Sequence, residues 1–137
     1  MTPIEGVPID RLEMYWPIVS GWVADACSAT ASCWTADDIR RDIERGAMQL
    51  WAVWGDRAPV GALVTEIYDT ARGKTCAIPI VGGSGILERL DAVSLIETWA
   101  RQQGCVRMRG EGRSGWERSL APFGWRKSTT VVEKDLS

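Results

Sequence analysis

Apolar residues at Val7, Leu12, Trp16, Val19 and Val23 recur at helical spacing, and Pro17 interrupts the series. Proline suits the first turn of a helix and not its middle. The pattern therefore predicts a short turn over Ile9–Met14 and a helix from Trp16 to Ala26, followed by a small-residue linker from Ser28 to Cys33. Thr35 reads as a helix N-cap, because Asp37 and Asp38 place acids in the first turn behind it. Ile39, Ile43 and Met48 then form an apolar stripe, with Gly46 placed to end the helix in a left-handed residue. Beyond it the period falls to two. Gln49–Trp54, Val60–Tyr68 and Lys74–Val81 read as three strands joined by the turns Gly55-Asp56 and Asp69–Gly73, hence an antiparallel meander.

The run Gly82-Gly83-Ser84-Gly85 breaks the chain before a second helical pattern over Glu88–Gln103, with Leu90, Val93, Leu95, Ile96, Trp99 and Ala100 on one wide face. Gly104 is positioned to end it. Cys105–Gly110 alternates as a strand, with Arg107 and Arg109 on one side and Val106 and Met108 on the other. Ser114 caps a short helix over Gly115–Ala121, Pro122 stops it, and Thr129–Leu136 reads as a last strand. The predicted order is α-α-β-β-β-α-β-α-β. A meander followed by crossovers gives a mixed sheet with helices on its faces, an α/β arrangement in a single domain over residues 1–137.

Composition narrows the chemistry. The 137 residues contain no histidine, which removes His-based triads, His general bases and most catalytic zinc sites. Cys27, Cys33, Cys76 and Cys105 show no C-x-x-C spacing, no apolar stretch opens the chain as a leader, and no run is long enough to span a membrane. Free buried thiols in a reducing cytoplasm are expected. Eight tryptophans stand against one phenylalanine and are spread along the chain, so they read first as packing groups and second as a partner-facing surface. Charge is uneven: residues 1–100 carry 8 basic and 14 acidic side chains, whereas residues 101–127 carry 7 basic and 2 acidic. Arg107, Arg109, Arg113 and Arg118 are the candidate contacts for an anion or an acidic partner. The overall charge of −2 and the lack of a nucleic-acid motif argue against DNA or RNA.

The element order, with Ala100-Arg101-Gln102-Gln103-Gly104 closing the long helix and Leu120-Ala121-Pro122-Phe123-Gly124-Trp125 closing the next, resembles the GCN5-related N-acetyltransferase (GNAT) family. The resemblance runs from Gln49 onward. The wording around Ile96-Glu97, Trp99-Ala100-Arg101, Gly104-Cys105 and Gly112-Arg113-Ser114-Gly115-Trp116 is similar to small GNAT-like proteins encoded by tailed phages and prophages. It implies acyl transfer from acetyl-CoA, seated between the two middle strands and with its diphosphate on a glycine-rich loop at the start of the central helix.

That loop is where the sequence departs from the family. The family motif R/Q-x-x-G-x-G/A falls on Ser84–Arg89, and Leu87 and Arg89 stand at its glycine positions. The family's thiolate-protonating tyrosine corresponds to Leu120, and a common asparagine corresponds to Arg113. Glu66 and Tyr68, which share a strand face, are the candidates for a base, and Gly82, Gly83, Ser84 and Gly85 are the candidate cofactor loop if the chain is an enzyme. The reading favoured at this level is a catalytically silent GNAT-fold module without a cofactor. It would act through protein contacts, for example with other phage structural proteins in the host cytoplasm or a virion. The alternative is a divergent acetyl-CoA-dependent N-acetyltransferase.

Overall fold

In a computed structural model, which describes residues 3–29, 34–111 and 115–136, the chain folds around one five-stranded sheet of order β1-β2-β3-β4-β5. The strands are β1 Ile4–Val7, β2 Met48–Trp54, β3 Pro59–Thr70, β4 Gly73–Gly83 and β5 Arg107–Gly110. Neighbours are antiparallel except β4 and β5, which run parallel. The helices are α1 Leu12–Ala29, α2 Ala36–Glu44, α3 Val93–Gln102 and α4 Gly115–Leu120.

Each sheet face has its own core. Leu50, Ala52, Ala62, Val64 and Ile80 meet Val19 and Val23 of α1 and Ile39 and Ile43 of α2. On the other face Trp51, Val53, Leu63 and Ile78 meet Val93 and Ile96 of α3. Trp51 also touches Trp99 edge-to-face, with ring centroids 5.1 Å apart, and donates its indole N–H to Thr65 Oγ1 at 3.0 Å. All eight tryptophans are buried or half-buried, in keeping with packing.

The meander, the long helical segment and the mixed α/β plan match the sequence reading. Thr35 makes a full capping box with Asp38, and Gly46 and Gly104 hold φ of +80° and +88° at their helix ends. Three elements differ. Ile4–Val7 is a strand beside β2 rather than the start of a helical series, since four residues between Pro3 and Pro8 are too few to show a period. α1 begins at Leu12, so Pro17 lies inside it. Pro17 faces solvent, where the carbonyl it leaves without a helical partner can meet water, while Leu12, Tyr15 and Trp16 anchor the helix start in the core. Thr129–Leu136 pairs with no strand and is exposed throughout. An isolated strand gains nothing without a neighbour.

Candidate functional site

A bulge in β4 organises the site. Val64 pairs with Ile80 and Glu66 with Ala77, two steps on β3 against three on β4, so β4 carries one extra residue at Ile78-Pro79. Proline is tolerated at such a point because a bulge leaves a residue out of the ladder. The faces confirm the shift: Ile78 packs toward α3 and Ile80 toward α1. β5 pairs with β4 only from Thr75↔Arg107 to Ile78↔Gly110. From Pro79 to Gly83, β4 continues beside β3 with no strand on its other edge, which leaves a notch. The Ser84 N–H donates to Val60 O at 2.9 Å across the β3 side. By the alternation of an antiparallel ladder, the N–H groups of Val81 and Gly83 turn toward the notch.

Register brings the candidate residues together just before this bulge. Glu66, Ala77 and Arg109 form one row across β3, β4 and β5, and Tyr68, Thr75 and Arg107 form the next. Ala77 is small, so the row dips between Glu66 and Arg109. Arg109 donates from Nη1 to Tyr68 Oη at 3.4 Å. The Thr75 hydroxyl is fully buried and has no hydrogen-bond partner among the described residues. Glu66 is half-buried, and its carboxyl is raised above the ordinary range by burial first and then by the negative charges of Asp42 on α2 and Glu111 after β5.

The glycine run is held by the protein itself. A Cβ on Gly82 would lie 2.4 Å from the Trp22 carbonyl oxygen of α1, and one on Gly83 would lie 2.5 Å from the Gly61 Cα. Gly83 and Gly85 have φ of +79° and +87°. The Ser84 hydroxyl, like its N–H, points to Val60 O, and Arg89 donates to Gly85 O at 3.3 Å. The α-helix starts only at Val93, after a 3-10 turn over Leu87–Ala92 in which Arg89 has the non-helical angles φ −130°, ψ 27°. A diphosphate cradle needs open N–H groups at a helix start. Here Ser84 spends its N–H on β3 and the α-helix starts only at Val93, so the loop departs from that arrangement.

The basic candidates divide. Arg107 and Arg109 sit on the polar face of β5, while Arg118 is exposed on α4, and among the described residues no ion pair engages any of the three. Arg113 lies outside the described residues, as does Cys33. Cys27, Cys76 and Cys105 are buried, the last two as free thiols. Burial pushes Cys76 up to about 12, and Cys105 is raised for the same reason, so neither serves as a thiolate. No cluster of potential metal ligands occurs among the described residues, and none of their helices is long and apolar enough to cross a membrane. Sequence reasoning missed Thr75, Asp42 and Glu111. Only Pro79 inside a strand pattern hinted at the bulge.

No family model matches the chain, and no curated protein sequence matches it. Solved structures do. A predicted acetyltransferase with acetyl-CoA from Clostridium acetobutylicum superposes with a TM-score of 0.67 at 8% identity, covering 99% of this chain and 97% of that one. Glucosamine-6-phosphate N-acetyltransferase from Arabidopsis thaliana gives 0.64 at 11% identity, covering 98% of this chain and 97% of that one. An aminoglycoside N-acetyltransferase in complex with CoA gives 0.66 at 11% identity, covering 96% of this chain and 92% of that one. With the parallel β4–β5 pair, the β4 bulge and the notch beside them, these likenesses show that the chain has the GNAT fold.

Proposed function

We propose that the chain is a divergent N-acyltransferase that uses acetyl-CoA, with Glu66 as the general base. The observation that carries this reading is the position of Glu66, across from Ala77 in the row before the bulge, with its carboxyl raised by burial, Asp42 and Glu111. A base works best when its pKa lies near the working pH, and a raised carboxyl moves toward it. Fold relatives solved with acetyl-CoA or CoA support the cofactor class. When bound, the coenzyme supplies an acyl thioester. Its extended arm suits the open edge of β4, where the Val81 and Gly83 N–H groups face the notch, whereas Ser84 gives its N–H to β3. Glu66 takes the proton from the acceptor amine, and Arg109, braced on Tyr68, sets the opposite wall of the dip above Ala77.

A second reading is favoured by a different observation. The acid position is Leu120, and Ser84 directs its amide into the sheet. Both suit a silent module that acts by protein contacts, for instance among phage particle proteins. Calorimetric titration with acetyl-CoA separates the two readings. The enzyme reading expects saturable binding, acyl transfer to an amine panel, and a loss of about 10²–10⁴-fold in turnover for Glu66→Gln with binding retained. Absence of heat at millimolar acetyl-CoA removes the enzyme reading. Unchanged turnover in Glu66→Gln removes the assigned base.

A further inference from the structure

Glu66 and Arg109 stand at the two ends of one row across the sheet, with Ala77 between them. Both are half-buried, and among the described residues neither is in an ion pair. A charge drawn partly out of water is ordinarily neutralised by a partner. These two are opposite in sign and share a sheet face, yet they do not meet. Two strand steps part their backbones, roughly 9–10 Å. Arg109 is also tethered sideways, because its Nη1 donates to Tyr68 Oη at 3.4 Å. The alanine between them leaves the space open. The result is a dip with a carboxyl at one rim and a guanidinium at the other, each without its counter-charge.

The surrounding charges keep this polarity. Asp42, beside Glu66, is already held by Arg45 at 2.8 Å. Glu111 is exposed just past the end of β5. Arg107, one row along β5, adds positive charge at the Arg109 end. A guanidinium carries five donors in a planar fork, so one hydrogen bond to a tyrosine leaves others for a carboxylate or phosphate.

We propose that the dip takes a small acceptor amine that itself carries an anionic group, a carboxylate or a phosphate, with its nitrogen at Glu66 and its anion on Arg109. This class follows only if the chain is the acyltransferase proposed above, and it names that enzyme's acceptor. A ligand of this kind supplies both missing counter-charges at once. A diamine supplies one of them and sets its second cation against the guanidinium.

The test is kcat/KM for acyl transfer from acetyl-CoA to two matched pairs, β-alanine with β-alaninamide and O-phosphoethanolamine with ethanolamine, and to putrescine. It is run on the parent chain, Arg109→Gln and Arg109→Lys. In the parent the anionic member of at least one pair should be favoured by about 10–100-fold, the scale of a hydrogen bond between charged groups. Whichever pair shows the preference tells carboxylate from phosphate. Arg109→Gln should bring that ratio to about one, chiefly through a raised KM. Arg109→Lys keeps the charge without the fork and should fall between the two. Equal rates within both pairs, a preference for putrescine, or a preference that persists in Arg109→Gln overturns the proposal and leaves the acyltransferase reading standing. Transfer to none of these amines despite saturable acetyl-CoA binding overturns it as well. Absence of acetyl-CoA binding removes that reading and the acceptor class with it.

Discussion

At the scale of single residues, Glu66 and Thr75 are among the groups whose burial is incompletely compensated. Folding raises the Glu66 pKa, so its contribution to stability is complete below the ordinary value of 4.5 and is lost as pH climbs through the raised folded value. Glu66→Gln abolishes that loss. Thermal unfolding should show the variant matching the parent at pH 4 and melting higher at pH 7, whereas a pH-independent difference contradicts the raised carboxyl. Thr75 buries a hydroxyl with no partner among the described residues, a situation that costs about 1–3 kcal/mol. Thr75→Val should raise the melting temperature by about 3 °C if about 1 kcal/mol is recovered. A lower melting temperature would mean that the hydroxyl does find a partner in solution. Neither group's setting was legible in the sequence. Glu66 stood out as a carboxylate in a strand, but Asp42 lies 24 residues before it and Glu111 45 residues after it, and only the sheet register assembles them.

Among elements, β4 and α1 meet in a close backbone approach. Gly82 lies against the Trp22 carbonyl, whereas Gly21, one residue earlier on α1, faces open space. Gly82→Ala forces the helix off the sheet and should destabilise by about 1–3 kcal/mol or more. Gly21→Ala removes a glycine from a helix interior and should stabilise by about 0.5–1 kcal/mol. Denaturant titrations of the two variants check both signs, and equal effects would deny the close approach. The glycine run was thus visible in the sequence, but not what it touches. A turn around a ligand and a turn around a neighbouring helix need the same residue type. The meander was legible because period-two alternation and turn residues coincide, and Thr35 because its cap is local. Ile4–Val7 was hidden by its length, and the unpaired state of Thr129–Leu136 by the fact that β-propensity does not name a partner.

Across the whole molecule, the GNAT fold stands without the family's sequence signature at the start of its central helix. Two cores on one twisted sheet need apolar alternation, a parallel crossover and a few placed glycines, and all of these the chain retains. Diphosphate recognition uses free amides at a helix start, and here a 3-10 turn kinked at Arg89 stands before α3. Architecture and ligand chemistry therefore draw on different residues, so one can persist while the other changes.

The covered sulfur atoms carry this separation into the chain's redox behaviour. Cys76 is fully enclosed between β3, β5 and α3, and its proton is held so firmly that hardly any thiolate exists at neutral pH. Peroxide, an alkylating agent or a soft metal ion can attack it only after the sheet opens. The surrounding redox potential thus leaves this position untouched for as long as the native state lasts, and oxidative damage there becomes a record of unfolding rather than its cause.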